Sequence, residues 1–145
     1  MIYFDTTFLL RLYLDEIGSE RIRELAVASN LIGSSILAKS ETIAAMHRHL
    51  RERKIGQEAF QLACQQFQRD QDDALYVWSP ISADILEVVR HTFTNLPATI
   101  FLRASDAIHL ATAAKAGFKE IYSNDKRLLA AAPIFKLKGI NPLAK

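Results

Sequence analysis

Short runs of strand-forming residues alternate with longer helix-patterned segments along the whole chain, and this alternation restricts the fold more than any other property of the sequence. Ile2, Tyr3 and Phe4 form a first strand that runs into a helix near Asp5, where Phe8, Leu9 and Leu12 take helical spacing. Gly18 and Ser19 open a second helix, with Ile22, Leu25 and Ala26 on its apolar side. Residues 31–34 read as a strand, and 36–54 as a helix carrying Ile43, Met46 and Leu50, broken at Gly56. A partner helix follows, with Phe60, Ala63, Cys64 and Phe67 on one face. Residues 75–78 are a strand holding Trp78, expected in the core, and Ile85, Leu86, Val89 and Phe93 mark a helix that ends before Pro97. A helix over 104–115 ends at Gly117, residues 120–123 are strand, 126–132 a short helix stopped by Pro133, and 137–140 a last strand. Hairpin signals are missing. The pattern predicts an α/β fold, a three-layer sandwich in which a parallel sheet is flanked by helices on both faces.

The 145 residues suit one domain, 1–145, with a hydrophobic core. Half the residues are hydrophobic and 23% charged, which excludes disordered and collagen-like chains. With Cys64, expected in the core, as its one cysteine, the chain can form no internal disulfide and no paired-Cys zinc site. No apolar run reaches the roughly 20 residues of a bilayer span, and the start lacks the basic region of a signal peptide. A cytoplasmic protein with no membrane partner is expected. The net charge of +2 does not by itself announce nucleic-acid binding, although His47, Arg48, His49, Arg51, Arg53 and Lys54 crowd together.

Ligands of parallel sheets bind beyond the carboxyl ends of the strands, where strand order reverses, and the residues found there are acids. Asp5 follows the first strand and Asp125 the strand 120–123, while Glu41 and Asp106 lie early on helices that follow strands or loops. Gathered carboxylates repel one another and resist desolvation, so a fold retains them mainly when cations neutralise them. Mg²⁺ or Mn²⁺ prefers such oxygen ligands and leaves positions open for phosphate oxygens, which points to phosphodiester hydrolysis. Taken singly, Asp5 and Asp125 also suit helix caps, and Asp106 suits the positive end of its helix dipole.

Thr6, Ser123 and Asn124 flank the strand-end acids with groups able to orient a carboxylate, which ordinary turn chemistry would also select. Arg48 lies two turns after Glu41 on nearly the same helix face, placed for a phosphate backbone or for solvent; Arg51 is rotated well away, toward a different surface. His109 has no zinc-site partner and reads as a packed or hydrogen-bonded histidine, and His47 and His49 point to different sides of their helix. Dinucleotide, P-loop and serine-hydrolase motifs are absent. Phosphoaspartyl transfer also uses an Asp after a first strand, but Thr7 stands where a phosphatase of that kind would place a second Asp.

The segments I-Y-F-D-T-T, A-K-S-E-T-I-A-A, L-R-A-S-D-A-I-H-L-A-T-A-A and I-Y-S-N-D-K-R-L, in this order and spacing, resemble those of PIN-domain ribonucleases, above all the VapC-type toxins of toxin-antitoxin pairs. The resemblance covers essentially the whole chain. It implies that Asp5, Glu41, Asp106 and Asp125 are catalytic and bind Mg²⁺ or Mn²⁺, that Thr6 supports the site, and that the chain is a homodimer partnered by an antitoxin that enters the active-site groove. Ser123 stands where many relatives carry Thr, and the hydroxyl is kept. The activity so implied is that of a metal-dependent endoribonuclease toxin; the alternatives are a catalytically idle module that binds RNA or protein, and a nuclease directed at DNA.

Overall fold

The computed structural model describes all 145 residues. Its strands are β1 (Ile2–Tyr3), β2 (Ile32–Ser35), β3 (Tyr76–Ser79), β4 (Glu120–Tyr122) and β5 (Lys138–Ile140). Its helices are α1 (Thr6–Arg11), α2 (Ser19–Ser29), α3 (Leu37–Arg51), α4 (Gln57–Asp72), α5 (Ala83–Thr94), α6 (Ala104–Lys115) and α7 (Lys126–Ala131). Every strand pairing is parallel. β1, β2 and β3 form one group and β4 and β5 another, joined where Phe4 bridges Tyr122 and the Asp5 N–H donates to the Tyr122 carbonyl at 3.2 Å. The spatial order is therefore β3-β2-β1-β4-β5. The chain builds outward from β1 to β3 and then returns to β1's free side, so strand order reverses between β1 and β4.

Side-chain alternation along β1 explains the layers. Ile2 and Phe4 enter a core with Phe8 and Leu9 of α1, Ile22 of α2, Met46 of α3 and Phe67 of α4. Tyr3 faces the other way, into a second core with Ile85 of α5, Leu110 of α6, Ile121 and Leu128. One sheet covered by helices on both faces is the three-layer arrangement that the strand–helix alternation predicts.

Gly33 in β2 admits close packing across the second face: a Cβ there would stand 2.5 Å from the Phe118 ring, which also meets Tyr3 edge-on. Gly117 ends α6 at φ +88°, a left-handed position without steric cost for glycine. Three local expectations change. Pro133 does not stop the chain's winding but sits in a 3-10 turn, Ala132–Phe135, continuing α7, because the first positions of such a turn need no N–H. Trp78 is half-buried on the outer strand β3, stacked on Tyr76 under the Lys39 ammonium. Cys64 is likewise only partly buried. No helix is long and apolar enough to cross a membrane.

Candidate active site

The reversal of strand order opens a cleft at the carboxyl ends of β1 and β4, and Asp5, Glu41, Asp106 and Asp125 all line it. Asp5 leaves β1 and caps α1, its Oδ1 accepting from the Phe8 N–H at 3.2 Å. Asp125 follows β4 and caps α7, accepting at Oδ1 from the N–H groups of Arg127 and Leu128. Capping and cleft-lining are thus combined in the same side chains, each capping through one oxygen.

Asp5 is only 3% exposed. The Ser123 hydroxyl donates to its Oδ2, and the Thr7 hydroxyl to Oδ1 at 2.7 Å. Burial pushes this carboxyl above the ordinary range, opposed by those hydroxyls, by the charge of His109 and by the Phe8 N–H. Ser123 also accepts from the Asp125 N–H at 2.9 Å, tying the two strand-end acids to one hydroxyl.

Glu41 is held by two groups. The Thr6 hydroxyl donates to its Oε1 at 2.8 Å, and His109 Nε2 lies 2.6 Å from the same oxygen. A carboxylate only accepts, so Nε2 carries the hydrogen. The other ring nitrogen, Nδ1, lies 3.1 Å from the Tyr3 hydroxyl, which accepts from the Ser35 N–H. Burial keeps the Tyr3 phenol protonated, with its pKa pushed upward. Burial also pushes Glu41 up, but hydrogen bonding to and charge from His109, with Thr6 and Arg103, outweigh it and hold this carboxyl below its ordinary value. The packed histidine of α6 thereby orients an acid of α3.

Asp106, in the first turn of α6, and Asp125 share one cation, Arg103. Its Nε donates to Asp106 Oδ2 at 2.8 Å, and its Nη2 donates to Asp125 Oδ2 at 2.6 Å and to Asp106 Oδ1 at 3.3 Å. Sequence reasoning missed Arg103, Thr7 and the reach of Tyr3. The available signal for Arg103 was its position three residues before Asp106, at a helix start.

Arg48 lines the cleft, but its guanidinium pairs with Glu52 at 2.9 Å. Arg51 lines the cleft too, against the expectation that rotation carries it elsewhere; a long side chain spans the angular offset. Asn124 stands half-buried in the turn between Ser123 and Asp125, and its side chain makes no hydrogen bond to the acids. As the side chains stand, no three Asp, Glu, His or Cys groups converge on one ion-sized position. Arg103 spans two of the acids and hydroxyls engage a third. The donor set still fits a hard divalent cation: it consists of carboxylate oxygens, with a positive guanidinium drawn in between two of them.

The molecule is thus a parallel α/β sandwich with an acid-lined cleft where strand order reverses. The PIN domain family matches residues 2–133, and the chain belongs to that family. Two solved structures are similar to it. VapC20 of Mycobacterium tuberculosis, described as a sarcin-ricin loop cleaving toxin, is 20% identical with a TM-score of 0.69 over 90% of this chain and 95% of its own. FitAB, solved bound to an IR36 DNA fragment, is 14% identical with a TM-score of 0.64 over 100% of this chain and 97% of the matched one. At these identities the likeness is one of fold. No curated relative matches the sequence.

Proposed function

We propose that the chain is a metal-dependent endoribonuclease, the toxin of a toxin-antitoxin pair. The observation that carries this reading is the gathering of Asp5, Glu41, Asp106 and Asp125, from four separate segments, around one cleft in a PIN-family chain. The likeness to a neighbour described as a sarcin-ricin loop cleaving toxin supports RNA as the substrate. On this reading residues 1–145 work as one nuclease unit, a cytoplasmic homodimer whose cognate antitoxin covers the cleft.

Asp5, Glu41, Asp106 and Asp125 would hold Mg²⁺ or Mn²⁺, which supplies Lewis acidity toward a phosphodiester and acidifies a water. The protein's own groups set the stage for that ion. Ser123 and Thr7 fix Asp5, and Thr6 and His109 fix Glu41, so two carboxylates are oriented before any ligand arrives. Arg48 and Arg51, on the α3 wall of the cleft, offer charge to an RNA backbone passing over the acids.

The test is cleavage of an unpaired RNA, an RNA stem-loop and a DNA strand of the same sequence, with Mg²⁺ or with EDTA. RNA should be cut only with Mg²⁺, and Asp106→Asn should lose about 100-fold or more in rate, on the scale of removing a group that stabilises the transition state. Equal cutting by wild type and variant would exclude this site as its source. Equal cutting of DNA would replace the RNA assignment, and no cutting with intact metal binding would leave an idle binding module.

A further inference from the structure

Every oxygen of Asp106 and Asp125 is already engaged. Arg103 takes both oxygens of Asp106 and Oδ2 of Asp125, and the start of α7 takes Asp125 Oδ1. The Asp106 side chain is 8% exposed, so as a carboxylate it needs a countercharge; the Arg103 side chain is 50% exposed, with open solvent to move into. Each carboxylate oxygen keeps a second lone pair, but an ion bound there would sit within about 5 Å of the guanidinium, cation against cation. The backbone of Arg103 begins α6, yet its side chain makes no cap to that helix and reaches instead to an acid on another element.

We propose that Arg103 is a built-in competitor of the divalent cation. It neutralises Asp106 and Asp125 while the metal is absent and must release them for the metal to bind. This rests on the metal-nuclease reading above. Its consequence is a threshold: the cleft is closed by its own arginine at low divalent concentration, and the doubly charged ion displaces the singly charged guanidinium as concentration rises.

The test is calorimetric titration of MnCl₂ into the wild type, Arg103→Gln and Arg103→Lys, each checked for folding by circular dichroism. Removing the competitor should tighten Mn²⁺ binding about tenfold, a moderate effect because the ion pair is half in solvent, and Arg103→Lys, which loses the fork and keeps the charge, should fall between. In the wild type, the Arg103 Nε–H resonance should be protected from water exchange in EDTA and lose that protection on saturation with Mg²⁺. This measurement decides the matter even if a variant fails to fold. Unchanged or weaker Mn²⁺ binding by folded Arg103→Gln, or an Nε–H signal still protected at Mg²⁺ saturation, overturns the competitor role and leaves the metal site standing. Absence of Mn²⁺ binding by every protein overturns the metal reading itself, and the competitor role with it.

Discussion

Ser123, at the end of β4, donates its hydroxyl to Asp5, at the end of β1, although 118 positions separate them. The same Ser123 oxygen accepts from the Asp125 N–H. One buried hydroxyl therefore ties two strands and two acids together where strand order reverses. Ser123→Ala leaves Asp5 short of a donor and the Asp125 N–H short of an acceptor. We expect a loss of about 1–3 kcal/mol in urea unfolding, the cost of leaving buried polar groups unpaired, together with reduced metal affinity. Ser123→Thr keeps the hydroxyl and should retain most of both.

Asp5 and Glu41 have opposite pH signatures. Burial raises the Asp5 pKa above its ordinary 3.8, so the folded state holds this proton more tightly than the unfolded one. Stability from that proton is complete below 3.8 and is lost as pH rises through the folded value. Glu41 is lowered from 4.5 by His109, Thr6 and Arg103 against its burial, so its contribution is present above 4.5 and is lost as pH falls through the folded value. In EDTA, Asp5→Asn should therefore raise Tm at neutral pH, with the gain shrinking toward pH 3.8. Glu41→Gln should lower Tm at neutral pH, with the loss shrinking below pH 4.5. Melting curves across pH for both variants check the two signs.

Thr6 bonds Glu41 without itself being a carboxylate, so it separates orientation from charge. Thr6→Val preserves shape and removes one donor. Groups that orient metal ligands typically contribute 10- to 100-fold, and a loss of about that size in metal affinity is expected with little change in Tm. Calorimetry with Mn²⁺ measures it.

Arg48 is exposed and paired with Glu52, which offsets part of its charge. Arg48→Ala should weaken binding to every RNA and reduce the salt dependence by about one unit of slope, without loss of metal affinity. Glu52→Gln frees the guanidinium and should tighten RNA binding. Both are measured on an Asp5→Asn background across salt concentrations, and unchanged affinity for both variants would mark Arg48 as solvated surface.

The elements of this fold were legible because each carries local punctuation. α6 begins at Ala104 and ends at Gly117's left-handed turn, and β1 alternates Ile2, Tyr3 and Phe4 between two faces. The candidate acids were legible because they follow strands or open helices. Strand order was not, since strands of two to four residues hold no record of their neighbours, and the Asp5–Ser123 bond exists only because β4 returns beside β1. Arg103 was hidden for a related reason. Three residues before Asp106 it resembles any surface ion pair, and only the fold brings Asp125 within its reach. Rotation about an ideal helix misplaced Arg51 because it follows Cα positions, whereas a long side chain delivers its charge several ångström away.

On the proposed reading these acids hold a divalent cation in the cleft between β1 and β4. Anomalous diffraction at the manganese edge, from crystals grown with MnCl₂, locates that ion. We predict a peak about 2.0–2.2 Å from carboxylate oxygens of Asp5 and at least one of Asp106 and Asp125, with the Arg103 guanidinium withdrawn from both of the latter. A fully occupied peak elsewhere on the protein, with Arg103 still bridging Asp106 and Asp125 and no manganese at Asp5, would contradict it.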